Sequence, residues 1–272
     1  MAKPQQIELA DGTLIPILYE DRSLLAVDKP AGWLLAPAGW DRTSRNLQLA
    51  LESSLSDGSY WARARNLKFL RFIHRLDAET SGVLLLAKSR GALQAYSKMF
   101  ETRLVAKTYL AVVQGTPRES SWSCQLAMAN DPAAKGRMKA RSTPDSPHAR
   151  TAMAMPNRPG ANHREAHTSF RLLRSNKAQS LVEARPTTGR THQIRVHLAA
   201  AGCPVIGDHL YGGSQPEVKG GSLGLRAVAL AFRDPFSRKS VRIEAPFLEF
   251  ARFYGFNVNR NELFADTERQ KM

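Results

Sequence analysis

Apolar residues in this chain come largely in short runs separated by turn residues, and two segments that repeat them at helical spacing stand out. Residues 15–19 and 24–27 are two such runs around Glu20-Asp21-Arg22-Ser23, which reads as a hairpin, and residues 83–87 and 104–113 read as further strands. Between the latter two, Ser89 is placed to cap a helix whose Leu93, Tyr96, Met99 and Phe100 share a face. From Thr191 a second helix puts Ile194, Leu198 and Ala201 on one face, and Gly202 followed by Pro204 stops it. Strands outnumber helices, and more than one strand separates the two helices, so the pattern fits an α+β fold better than a doubly wound sheet. No internal repeat and no linker divides the chain, and a single domain over residues 1–272 is expected. It would carry an N-terminal extension over 1–14, a basic proline-rich insertion over 130–168 and a polar tail over 266–272.

Hydrophobic residues make up 43% and charged residues 23%, which excludes wholesale disorder, collagen and coiled coil. No run reaches the roughly 18 apolar residues of a membrane span. The start, Met1-Ala2-Lys3-Pro4, lacks an apolar export core. A cytoplasmic protein is expected, and with it free or buried thiols at the distant Cys124 and Cys203. The formal charge of +15 attracts a polyanion, and without a basic amphipathic stretch nucleic acid is favoured over a membrane surface. The insertion adds to this. It holds Pro132, Pro144, Pro147, Pro156 and Pro159, and its seven lysines and arginines face only Asp131, Asp145 and Glu165. It reads equally as a solvated loop or as a grip on phosphates.

Two apparent motifs fail on context. Gly220-Gly221-Ser222-Leu223-Gly224 has the spacing of a hydrolase elbow, yet no histidine follows Ser222 to complete it. His192 and His197 lie five residues apart, on different helix faces, with no carboxylate or cysteine to finish a ligand set, so no metal is expected. The informative string is His74-Arg75-Leu76-Asp77-Ala78-Glu79-Thr80-Ser81-Gly82, a turn-rich loop with a carboxylate two residues from an arginine, running directly into a strand. Taken alone it is as much a structural loop as a site. A second cluster, Thr188-Gly189-Arg190-Thr191-His192-Gln193-Ile194-Arg195-Val196-His197, crowds cationic and titratable groups at a helix start. The helix dipole disfavours arginine there, which points to a fixed anion, either a phosphate or an ionised carboxylate. Gly207-Asp208-His209-Leu210-Tyr211-Gly212 is a turn by composition.

With these strings in view, the chain resembles the RluA-type family of RNA pseudouridine synthases from about residue 15 to residue 246. Lys29-Pro30-Ala31-Gly32 with Pro37, and Lys107-Thr108-Tyr109-Leu110-Ala111, resemble two further family motifs in the expected order. The resemblance implies a mixed, mostly antiparallel central sheet with flanking helices and loops. It also implies cofactor-free isomerisation of uridines in ribosomal or transfer RNA: the bond from ribose C1′ to base N1 breaks, the uracil turns, and C5 joins C1′. Asp77 maps to the essential aspartate, Tyr109 to the tyrosine that stacks on the base, and Arg195, with Arg190 as the fallback, to the cation keeping the aspartate ionised. Arg75 maps to the residue that fills the gap left by an extruded nucleotide. His74, Lys107, Arg190 and His192 are the remaining candidate substrate contacts, while Lys29 and Gly32 read as structural.

Two features depart from the family pattern. Leu225-Arg226-Ala227 stands where the family has Leu-His-Ala, and the insertion is longer and more basic than expected. The short segment ahead of residue 15 leaves no room for the RNA-binding S4 domain of many relatives, so the catalytic domain is expected to supply its own RNA affinity as a monomer. The rival readings are an RNA-binding protein without activity and a nucleosidase.

Overall fold

The computed structural model of the protein describes residues 3–35, 45–134, 136–141, 163–212 and 222–269. The first part of the chain forms β1 (Gln6–Glu8), β2 (Leu14–Glu20), β3 (Leu24–Lys29), α1 (Leu47–Ser56), α2 (Tyr60–Arg63), β4 (Arg71–Phe72), β5 (Ser81–Ala87) and α3 (Arg90–Glu101). There follow β6 (Ala106–Gln114), β7 (Ser121–Cys124), β8 (Ala127–Asn130), β9 (Met138–Arg141), β10 (Thr168–Ser175), β11 (Gln179–Pro186) and α4 (Gln193–Ala200). The chain ends with β12 (Leu225–Arg233), β13 (Ser240–Glu244), α5 (Leu248–Phe253) and α6 (Arg260–Arg269). Two compact units emerge, Met1–Ala106 with Ala227–Pro246, and Lys107–Arg226 with Phe247–Met272.

In the first unit the strand order is β1-β2-β3-β5-β12, with β4 also on β5 and β13 on β12. Residues 6–8, expected to precede the fold as an extension, are its edge strand, because Ile7 is fully buried against β2. β5 carries an unbroken apolar run over residues 83–87, and Leu84, Leu85 and Leu86 are all fully buried, each stabilising the fold by about 1.5–3 kcal/mol relative to exposure. The Ser89 hydroxyl caps α3 by accepting the Ala92 N–H at 3.2 Å, as its position predicts. From α3, Ala92, Tyr96 and Met99 pack on Leu24, Leu85 and Phe232, with Leu93 and Phe100 at the margin. The left-handed Arg103 turns the chain after α3, so β6 begins at Ala106 and not at Leu104.

In the second unit the order is β6-β11-β10-β7, with β8 and β9 as a separate hairpin. The register places Tyr109, Ala184, Phe170 and Trp122 in one row. Side chains on that face meet Ile194 and Leu198 of α4, and Trp122 stacks on Phe170 with centroids 5.0 Å apart. The α4 helix starts at Gln193, two residues later than its pattern suggests, since His192 is left-handed with φ 56°. Residues 193–198 are buried all round instead of on one face, for Met128, Ala166 and Val196 form a second cluster with Met138 and Tyr211.

Both cysteines are buried free thiols. Of the expected polar tail, residues 266–269 continue α6, while 270–272 lie outside the described residues. Pro37, residues 142–162 of the insertion, and Gly220 and Gly221 lie outside them too. No helix among the described residues is long and apolar enough to cross a membrane.

Candidate active site

In the first unit, the His74–Gly82 string is the connection from β4 into β5. β4 pairs Arg71 with Ala87 and Phe72 with Leu86, and the Ile73 N–H continues to the Leu85 carbonyl at 3.0 Å. His74 then turns inward: its Nε2 accepts the Leu85 N–H at 3.1 Å, and its ring stacks on Phe100 at 4.6 Å. That acceptor role requires an unprotonated Nε2, so the imidazole closes the β5 ladder. Arg75 is exposed, Leu76 is buried, and Asp77 is half-buried at the head of a turn closed by the Thr80 N–H to the Asp77 carbonyl at 3.1 Å.

The turn is held from beneath by a lysine. Lys29, at the end of β3 and opposite Gly82, is fully buried, and its Nζ donates to the carbonyls of Ala78 (2.8 Å), Thr80 (2.9 Å) and Pro30 (3.0 Å). The Gly32 N–H adds a second bond to the Ala78 carbonyl at 2.8 Å, from a backbone with φ +83°. Burial pulls the Lys29 ammonium down to about 8, against the opposing charges of Glu79 and Asp77. The lysine read from sequence as structural is thus the anchor of the aspartate's own turn. On its other side Gly82 has φ +113°, and a Cβ there would sit 2.0 Å from the Ala227 carbonyl oxygen.

In the second unit, Tyr109 stands half-buried on β6 opposite Ala184, and Lys107 reaches the Thr188 carbonyl at 2.7 Å. The fixed anion foreseen at the arginine cluster is a carboxylate. Arg195 forms a two-point pair with Asp208, Nε to Oδ2 at 2.8 Å and Nη2 to Oδ1 at 2.7 Å, both residues being buried. Asp208 Oδ1 also accepts the N–H groups of Leu210 and Tyr211, which explains the turn composition of that motif. The Tyr211 ring lies 5.4 Å from the Arg195 guanidinium carbon. Its hydroxyl, pushed up by burial, accepts the Met138 N–H at 2.8 Å and shares a 2.9 Å bond with Nδ1 of His192. Arg190 Nε donates to the Glu165 carbonyl at 2.9 Å.

Sequence reasoning passed over Gln193, yet its buried amide organises this loop. Its Oε1 accepts the Thr188 hydroxyl (2.7 Å) and the Arg190 N–H (3.0 Å), and its Nε2 donates to the His167 carbonyl and the Thr168 hydroxyl. The signal available was one amide between two arginines at a helix start. The Leu126 carbonyl must accept from His197 Nε2, so Nδ1 accepts from Thr168, and burial drives this neutral imidazole down to about 4. Among the described residues no cluster of three or more His, Cys, Asp or Glu could hold a metal.

A family profile described as RNA pseudouridylate synthase matches residues 23–200. Ribosomal large subunit pseudouridine synthase C of Vibrio cholerae serotype O1 is 31% identical over 235 residues, covering 85% of this chain and 65% of that protein. Ribosomal large subunit pseudouridine synthase D of Xylella fastidiosa is 32% identical, over 90% of this chain and 68% of its own. The chain thus spans about two-thirds of the length of these relatives. Human RNA pseudouridylate synthase domain containing 1 shares the fold, with a TM-score of 0.67, 24% identity and 94% of each chain covered. The profile match and these identities place the chain in the RNA pseudouridylate synthase family, in its RluA-type branch.

Proposed function

We propose that this protein isomerises uridines to pseudouridines in structured RNA, ribosomal or transfer, with ribosomal RNA of the large subunit favoured by the names of its relatives. The observation that carries the reading is Asp77, half-exposed on a turn whose backbone Lys29 fixes from below, in a chain of this family. Asp77 acts on the ribose as nucleophile or base while the bond from C1′ to N1 breaks; the freed uracil turns, C5 bonds to C1′, and the C5 proton leaves. Tyr109 stacks on the base, and Arg195, oriented by Asp208, supplies positive charge to the reaction centre. Arg75, exposed beside Asp77, occupies the gap left by the extruded nucleotide. Lys107, Arg190 and His192 shape the surface that receives the RNA, and His74 serves by fixing the loop. The protein works as a monomer in the cytoplasm, without a cofactor.

RNA carrying tritium at uracil C5 tests this, because closing the bond from C5 to C1′ expels that hydrogen into water. Wild type is expected to release tritium with the RNA chain intact, and Asp77→Asn to fall to background. Free uracil in place of tritiated water would identify a nucleosidase, and neither product would leave an RNA-binding protein.

A further inference from the structure

The second unit's sheet has a face that the proposed chemistry does not use. Because Tyr109, Ala184, Phe170 and Trp122 share one face with α4, their strand neighbours point to the other. There the register builds two rungs. One holds Ser121, Arg171 and Glu183, and the next holds Ser123, Ser169 and Arg185. These six residues line an open basin of about 440 Å³ at the β7 edge, a volume on the scale of one nucleotide.

Its polar groups are unequally satisfied. Glu183 is almost completely buried and accepts Arg171 Nε at 2.8 Å and Arg185 Nε on its other oxygen. Arg171 is further tied to the carbonyls of Glu262 and Leu263, at 3.1 and 3.0 Å. Arg185 has no such tie: its side chain stays 35% exposed to the basin, while its inner Nη2 has no hydrogen-bond acceptor among the described residues. Nor does another described residue engage the hydroxyls of Ser121, Ser123 or Ser169. The basin is lined by the Arg185 guanidinium, one of whose nitrogens has no acceptor among the described residues, and by three serine hydroxyls that no described residue engages, and an anion with several oxygens satisfies that combination.

We infer that this basin is an accessory RNA-backbone site, in which Arg185 with the Ser123 and Ser169 hydroxyls binds a phosphodiester on the sheet face opposite Tyr109. The identity of the anion rests on the reading of the protein as an RNA enzyme; the geometry does not. A phosphate held here would anchor the strand at a second point independent of base identity, consistent with a chain of charge +15.

Binding of fluorescein-labelled oligouridylate, followed by anisotropy from 50 to 200 mM salt, tests the site in the full chain. Losing one phosphate contact on a single strand lowers the slope of log K against log salt by about 0.7, so Arg185→Gln should bind about eightfold more weakly at 50 mM and about threefold at 200 mM. Because Arg185→Gln also disturbs Glu183, the Ser123→Ala/Ser169→Ala pair, which breaks no side-chain hydrogen bond among the described residues, is measured beside it and should also weaken binding, equally for oligouridylate and oligocytidylate. Lys98→Gln removes the same charge from an exposed position on α3 and sets the background. Arg185→Gln no weaker than Lys98→Gln, or a serine pair binding like wild type, overturns the inference while a steep wild-type salt dependence stands. A wild type whose binding ignores salt overturns the RNA reading as well.

Discussion

Replacing Lys29 by methionine keeps the length of the buried stem and removes the ammonium that holds the Asp77 turn. Three carbonyls lose a donor, but Ala78 keeps the Gly32 N–H, so two, Pro30 and Thr80, are left short. At about 1–3 kcal/mol for each buried acceptor without a partner, the loss is about 2–6 kcal/mol. Against it stands the cost of burying the charge. The fall of Lys29 from 10.5 to about 8 corresponds to about 3 kcal/mol at neutral pH, which the substitution relieves. The net effect on unfolding lies between a gain of about 1 and a loss of about 3 kcal/mol. The turn itself loses its anchor, and a displacement near 1 Å at a reacting group costs on the order of 100-fold in rate. Single-turnover tritium release should therefore fall about 100-fold in Lys29→Met with KM little changed, while denaturant melts show a protein folded under assay conditions. A wild-type rate in the folded variant, or a rate loss that tracks the unfolded fraction, refutes the anchoring role. Between pH 8 and 10.5 the unfolded lysine holds a proton the folded one has lost, so Lys29's contribution to stability grows as pH rises through that window.

Three other outcomes are expected. His197 is neutral in the fold down to about 4 against 6.5 unfolded, so stability is lost as pH falls through that window; urea melts should show about 2 kcal/mol less stability at pH 5 than at pH 7 from this group, and a flat profile would contradict its burial. Asp208→Asn strips the Arg195 guanidinium of its buried counter-charge and should cost about 3–5 kcal/mol in denaturant unfolding, with Asp208→Asn/Arg195→Met recovering part of the loss. Gly82→Ala must move the backbone against Ala227 from a strained φ, so a loss of about 3 kcal/mol or more is expected in thermal melts, and an unchanged Tm would contradict the close approach.

The parts of the fold legible in the sequence are those in which apolar period and burial coincide. β5 holds a continuous apolar run over residues 83–87, and α3 has both its capping serine and its helical stripe. β10 and β11 are obscured because their outer face carries Arg171, Glu183 and Arg185; the carboxylate is buried only because arginines on its own and the neighbouring strand neutralise it, which no single strand reveals. The site was legible as strings and not as bonds. The string around Asp77 reads as a turn running into a strand, and so it folds, but that Lys29, 48 positions earlier, holds the turn depends on the pairing of β3 with β5. The arginine cluster called for an anion, and Asp208 answered from the next motif. His74 sat in the most informative string, where only the fold could show its ring closing a strand ladder. Gln193 carried no charge and so no flag, although four hydrogen bonds meet on its amide.

The central claim is that Asp77 turns particular uridines into pseudouridines. Wild type and Asp77→Asn should be incubated with total RNA from a strain lacking the gene, and pseudouridine mapped by carbodiimide-dependent stops in reverse transcription. New stops at discrete uridines with wild type alone are the predicted result and would name the substrate RNA at once. Stops restored equally by Asp77→Asn, or by neither protein, would contradict the claim.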